Sequence, residues 1–441
     1  MGVGWGIMCS LRGRWFLVCG CCALIVALAA GCTDQTSKPG ANKMSRDVYV
    51  WQRSWNEQVV DAVRERATNF STVVLLAAEV TWQSGQPKVI RVPINWDALP
   101  RTGTSIGLAL RIGPFGGPFG SDDERAKWLA TLARSLVAEA TNHLVEVGEL
   151  QIDFDCAESK LEGYTAWVGA ISRRVSPTRV VITALPAWLK RPAFKQLAHT
   201  AGEYVLQVHS LERPRYPDAA FKLCDPALSR QAVALAGNLG VPFRVALPTY
   251  GYVIAFDSKG AFAGLSAEGP ARNWQPDMQL RELRSDAAAI AGLVRGWTSE
   301  RPEAMRGIIW YRLPVDGDAL NWSWPTLTKV MAGETPGSSI RVEVQRPQLG
   351  LFEITLVNDG DADFTGNPEV VAKWEGVQPI ASDGLRGFTP CEIATNVVCF
   401  RNTRQPLRIK AQERQMIGWL RLAADAPVQV ELQQTKDGQQ N

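Results

Sequence analysis

The sequence predicts an α/β chain, a (β/α)8 barrel of TIM type followed by a small C-terminal all-β sandwich domain. Two observations predict it. Between residues 47 and 335, strand-length apolar runs alternate with helix-period segments, eight units in all, and no glycine-rich phosphate loop follows the first strand, as an open doubly wound sheet would require. Beyond "GETPGSS" the helical pattern stops, and residues 339–435 show short alternating strands broken by turn signals such as Asn358-Asp359-Gly360. A chain of 441 residues accommodates one large domain and one smaller one.

Residues 1–31 read as a secretory leader. Arg12 and Arg14 precede the apolar run "WFLVCGCCALIVALAA", and small residues follow. "LAAGC", Leu28 to Cys32, resembles a bacterial lipoprotein box. That resemblance implies cleavage before Cys32, its lipidation and attachment to a membrane in the cell envelope. Thr33 rather than Asp after the cysteine points to the outer membrane, facing the periplasm. A simple transmembrane anchor is the alternative, although the run is short for a span. Residues 32–46 read as a flexible tether. After the leader, 45 basic residues stand against 44 acidic ones, which gives no electrostatic case for nucleic acid.

Within the barrel, "VYVWQ" (48–52) is the first strand, with a helix from Glu57. "TVVLLAAEV" (72–80) is the second, with "KVIRVPINW" (88–96) as a side hairpin. "SIGLALRIG" (105–113) is the third, and Ser121 with Glu124 forms a capping box for the long helix that follows. "ELQIDFD" (149–155), "RVVITAL" (179–185) and "YVLQVHS" (204–210) are the fourth to sixth. Asp225-Pro226 caps and starts the next helix. "VPFRVALP" (241–248) and "RGIIWYRLP" (306–314) complete the set, each followed by a helix.

Active sites of such barrels lie at the C-terminal strand ends. Alternation along each strand predicts what faces that rim. In "LQIDFD", Leu150, Ile152 and Phe154 share one face, and Gln151, Asp153 and Asp155 share the other. Glu79, Arg111, Gln207, His209, Trp310 and Arg312 end other strands, and Trp51, Tyr250, Trp310 and Tyr311 offer aromatic faces suited to sugar stacking, or to core and rim packing. Ionised groups inside a barrel need partners or a site to serve. Arg111 beside the aspartates also reads as a purely structural pair. With only three histidines, two of them off the strands, a multi-histidine metal site is not expected, and no cofactor is. Carboxylate chemistry remains, with Asp153 and Asp155 as its catalytic candidates and a carbohydrate as the ligand.

These stretches carry a resemblance. "LQIDFD" resembles the Asp-x-Asp-x-Glu motif of chitinase-type glycoside hydrolases, "ITALPAW" their fifth strand, "GVPFRVALPTYGY" their seventh and "GIIWY" their eighth. Residues 251–276 resemble the hairpin insertion that such barrels carry after strand seven. The chain also resembles an uncharacterised bacterial lipoprotein family, a domain of unknown function, with the same "DFDC" and "PTYGY" features. The resemblance implies a glycosidase-like barrel with Asp155 as proton donor and Asp153 modulating it. In one register Gln151, Asp153 and Asp155 stand where the motif has Asp, Asp and Glu. In the other, two residues along, Ala157 takes the acid's place. Gln207, His209 and Ser210 stand where that family has Met, Tyr and Asp. A non-catalytic glycan or partner binder is therefore the alternative to an enzyme.

Of the nine cysteines, four lie beyond Cys32. Export favours two disulfides, Cys391–Cys399 across a hairpin and Cys156–Cys224, with free buried thiols as the alternative. The C-terminal module reads either as a carbohydrate-binding domain or as a packing module without ligand.

Overall fold

A computed structural model describes residues 44–83, 85–120, 123–209, 214, 216–267, 274–403 and 407–434. The expected leader, most of the tether and Cys32 lie outside the described residues, as do Ser121 and Ser210.

The barrel half runs β1 (Ser45–Val50), α1 (Glu57–Arg66), β2 (Thr72–Gln83), β3 (Gln86–Arg91), β4 (Ser105–Ile112), α2 (Glu124–Asn142), β5 (Val147–Phe154), α3 (Leu161–Val175), β6 (Arg179–Ala184), α4 (Pro192–Ala201), β7 (Tyr204–Gln207), α5 (Pro226–Gly237), β8 (Phe243–Pro248), β9 (Gly251–Phe256), β10 (Phe262–Ser266), β11 (Gln279–Arg284), α6 (Ala287–Ser299), β12 (Met305–Tyr311) and α7 (Trp324–Met331). Strands β1, β2, β4, β5, β6, β7, β8 and β12 pair in parallel around a closed circuit, and the β1–β2 pairing completes it. β3 folds back antiparallel on the end of β2. Among the described residues no α-helix follows β2; Pro93 and Pro100 frame a connection with only a 3-10 turn at Trp96–Ala98. β1 takes in the last two residues of the expected tether, Ser45 and Arg46. The cap of α2 is Asp123, whose carboxylate accepts from the backbone N–H of Arg125.

The insertion after β8 is larger than a hairpin. β9 is flanked by β10 and β11 in a three-stranded antiparallel sheet. The third strand, "QLRELR", has no buried residue, so no apolar run marked it.

The outward faces of the barrel strands meet the helices in one core, where Leu150, Ile152 and Phe154 pack with Trp167 of α3. Phe154 stacks on Trp167 at 5.9 Å and meets Tyr164 edge-on at 5.1 Å. Burial of a side chain such as Phe154 contributes roughly 1.5–3 kcal/mol.

The base of the barrel interior is ionic. Arg244 of β8 is almost wholly buried and donates to Asp47 of β1 at 3.0 Å and to Glu149 of β5 at 2.8 and 3.0 Å. Its Nε lies 2.8 Å from Glu203. Burial opposes its charge, but Glu149, Glu203 and Asp47 outweigh that and hold its pKa above the ordinary arginine value. Gly107 makes room for this cluster, since a Cβ there would stand 3.0 Å from Glu149 Cγ.

The C-terminal half contains β13 (Ile340–Gln348), β14 (Leu351–Asn358), β15 (Phe364–Gly366), β16 (Pro368–Trp374), β17 (Pro379–Gly384), β18 (Phe388–Ala394), β19 (Val397–Asn402), β20 (Leu407–Ile409), β21 (Arg414–Leu422) and β22 (Val428–Gln434). Two four-stranded antiparallel sheets, β13-β14-β21-β17 and β18-β19-β16-β22, share one core that includes Ile354, Val370, Trp374, Phe400 and Ile417.

The expected disulfides are not formed. Cys156, Cys224, Cys391 and Cys399 are free thiols. Cys156 lies 3.4 Å from the carbonyl of Ala157, and Cys224 lies 3.4 Å from the hydroxyl of Ser229, so each is engaged within its own segment. Burial pushes the first up to about 12 and the second to about 11, which suppresses the thiolate that disulfide exchange needs. Cys391 and Cys399 face each other across β18 and β19, the first exposed and the second buried.

Replacing Arg244 by Ala leaves the buried Asp47 without its cation and Glu149 with only the exposed Arg179, 3.5 Å away. The expected loss is about 3–5 kcal/mol in equilibrium denaturation; a loss below about 1 kcal/mol would show that the cluster does not stabilise the barrel.

Candidate active site

At the C-terminal mouth of the barrel lies a cavity of about 640 Å³. β5 supplies its acidic side. With Leu150, Ile152 and Phe154 turned to the helices, Glu149, Gln151 and Asp153 point inward at successive depths, and Asp155 stands just beyond the strand at the mouth. Gln151 is locked in place, donating to Glu149 at 2.7 Å and accepting from the hydroxyl of Tyr49 at 2.5 Å. Asp153 accepts from the hydroxyl of Thr183 at 2.9 Å and lies 3.8 Å from Nε of Arg111. Ala157 does not line the cavity, so Asp155 is the outermost carboxylate of this strand in it.

Both carboxyls are pushed up. Desolvation raises Asp153 against the pull of Arg111 and Thr183, and Glu79 adds to the rise. Asp155, an exposed residue at the rim, is raised to about 6, first by partial desolvation of its carboxyl and then by the charge of Asp153, against Arg111. Two neighbouring carboxyls that resist joint ionisation leave one of them protonated in the mildly acidic range.

The opposite side is neutral and aromatic. His209 lies parallel to Tyr311 at 5.6 Å and edge-on to Tyr250 at 5.9 Å. Burial lowers its pKa to about 3, so the ring is uncharged at physiological pH. The hydroxyls of Tyr250 and Tyr252 are 2.9 Å apart. Gln207, Trp51 and residues of β9 and β10 complete the wall.

Of the residues singled out in the sequence, Trp51, Arg111, Asp153, Asp155, Gln207, His209, Tyr250 and Tyr311 line this cavity. Three do not. Glu79 stands behind the wall, paired with Arg53 at 2.6 Å and Arg111 at 3.5 Å. Trp310 faces outward into the helix layer, because Ile309 and Tyr311 face inward on β12. Tyr311 is the aromatic residue that β12 gives the cavity. Arg312 is buried beneath the wall, donating to Asp318 at 2.6 Å and to the carbonyl of Ala267 at 3.2 Å, where it holds the inserted sheet against the rim.

Tyr49, Arg53, Thr183 and Tyr252 also line the cavity and are not singled out by the sequence pattern. Thr183 and Tyr49 were within reach of alternation along "RVVITAL" and "VYVWQ". Arg53 follows its strand in a connection whose course no periodicity predicts. Among the described residues no group of three or more His, Cys, Asp or Glu is placed to hold a metal ion.

Fold and site together define the class: a TIM-type barrel with a carboxylate pair at the mouth of its fourth strand. Residues 122–316 match the family model described as "Domain of unknown function (DUF3142)". A search of curated proteins finds no match. Among solved structures, the chain is similar to the spore cortex-lytic enzyme SleL of Bacillus megaterium QM B1551, at 15% identity over 63% of this chain and 72% of that one, with a TM-score of 0.46. It is also similar to a chitinase from Chromobacterium violaceum ATCC 12472, at 14% identity over 66% of this chain and 99% of that one, with a TM-score of 0.45.

His209 makes a pH prediction. Its folded value lies below the unfolded one of roughly 6.5, so its contribution to stability is complete above that pH and is lost as pH falls toward about 3. Asp153 and Asp155, both raised, act in the opposite sense. The stability difference between wild type and His209→Phe should therefore shrink as pH falls from neutral to about 4, by roughly 1.4 kcal/mol per unit. A difference independent of pH in denaturant titrations would contradict a buried neutral ring.

Proposed function

We propose that the cavity is the active site of a glycoside hydrolase, with Asp155 as the proton donor. The observation that carries this reading is the placing of two carboxyls on one cavity at the mouth of β5, Asp155 at the rim and a deeper Asp153 held by Thr183 and Arg111; the rise of Asp155 to about 6 supports it. The resemblance of "LQIDFD" to the chitinase motif supports it. In the reaction, Asp155 gives its proton to the glycosidic oxygen as the bond to the anomeric carbon breaks, and water completes hydrolysis at that carbon. Asp153 keeps its neighbour protonated by resisting a second nearby charge. Tyr250, Tyr252, Tyr311 and Trp51 offer aromatic faces and hydroxyls to a sugar, and the leader's "LAAGC" supports attachment at the envelope through a lipidated Cys32.

The second reading is a glycan-binding barrel without turnover. Asp155 favours it, being one methylene shorter than the glutamate of the motif. Asp155→Glu separates the two. A hydrolase keeps or gains activity with the longer acid, whereas a binder hydrolyses nothing in either form.

Asp155→Asn should abolish hydrolysis of N-acetylated and cell-envelope glycans with the circular dichroism spectrum unchanged. Full activity in that variant would remove Asp155 from the mechanism. A second expectation concerns pH. In wild type, kcat/KM should fall as pH rises through about 6, when Asp155 loses its proton. In Asp153→Asn the charge that raises Asp155 is gone, so the falling limb should move to lower pH. A limb that does not move would show that Asp153 has no part in setting the acid.

A further inference from the structure

The wall built by β1, β2 and β4 differs from the rest of the cavity in carrying guanidinium groups. Arg53 and Arg111 both line the cavity, and their side chains are 41% and 42% exposed. The carboxylate they share, Glu79, is only 13% exposed and does not line the cavity, so the two cations stand between it and the open space. Arg53 grips Glu79 through two N–H groups, at 2.6 and 2.8 Å. Arg111 is held differently. Its contacts with Glu79 and Asp153, at 3.5 and 3.8 Å, are long for charge-assisted hydrogen bonds, which run near 2.7–2.9 Å. Asp153 is meanwhile occupied by Thr183 at 2.9 Å. A planar cation held loosely at the edge of a cavity, with a second cation alongside, suits the planar oxygens of a carboxylate.

We propose that Arg111 and Arg53 form an anion subsite, so that the glycan taken by this cavity carries a carboxylate. This rests on the carbohydrate reading of the site and names the substrate class within it. Asp153 restricts where the anion can sit, since a carboxylate beside it would meet the like charge that also acts on Asp155. The subsite therefore lies toward β1 and β2, with the scissile bond toward β5.

The test uses the full chain and two matched probes: N-acetylchitotetraose, and the same tetrasaccharide with its C6 hydroxymethyl groups oxidised to carboxylates. Affinities are measured by calorimetry at about pH 5, where the probe's carboxylates remain ionised. Wild type should bind the oxidised probe roughly tenfold more tightly, the worth of one charge-assisted contact. That ratio should fall toward one in Arg111→Gln and in Arg53→Gln, should be partly kept in Arg111→Lys, and should collapse at about 0.5 M salt. Equal or weaker binding of the oxidised probe by wild type, with the neutral one still bound or hydrolysed, overturns the anion subsite and leaves the glycosidase reading standing. Tight binding of the oxidised probe without hydrolysis supports the subsite and removes the hydrolase. Binding of neither probe overturns both.

Discussion

The barrel depends on one buried cation. Arg244 reaches across the interior from β8 to Asp47 on β1 and Glu149 on β5, and so joins strands that are not neighbours in the sheet. Because side chains alternate along a strand, a slip of one residue in any of these three would turn its charge into the apolar helix layer and leave the others unpaired. The cluster thus fixes the phase of β1, β5 and β8. Once Glu149 points inward, Gln151 and Asp153 must follow. Once Asp47 points inward, so must Tyr49, which closes the hydrogen-bonded chain to Gln151.

The phase fixed at the base sets the depth of the carboxyls at the mouth. Asp153 arrives at a depth where desolvation and Thr183 govern it, and Asp155 arrives one step higher, at the rim. The far wall is held by a second set of bonds. The hydroxyl of Thr249 donates to the carbonyl of Arg312 at 2.6 Å, and Tyr250 bridges to Asn321. Arg312 and Asp318 secure the inserted sheet. The loop that carries Asp318 also receives the C-terminal domain, since Arg408 donates to the carbonyl of Ala319 at 2.6 Å. The domain is therefore bonded to the same segment that supports the cavity wall.

Much of this was legible in the sequence where one face of a strand differed from the other. The alternation of "LQIDFD" specified both which residues meet the helices and which meet the cavity. "GIIWY" offered no such contrast, because a strand buried on both faces is apolar throughout. Its phase is therefore open in the sequence, and of its two aromatics Tyr311, not Trp310, faces the cavity. The Arg244 cluster was illegible for another reason: its partners lie 95 and 197 residues away, and only closure of the barrel brings them together. The cysteines show the limit of counting. Their number allowed two bridges, but Cys156 and Cys224 are each engaged locally and buried as neutral thiols.

The account turns on Asp155 being a proton donor set by its surroundings. The most direct measurement is a carbon-13 NMR titration of the aspartate carboxyls, with Asp155→Asn used to assign the resonance. The geometry predicts a midpoint for Asp155 near 6. A midpoint near the ordinary aspartate value of about 4 would contradict it. The carboxylate would then be an ionised rim group, with no proton to give at the pH where the site is expected to work.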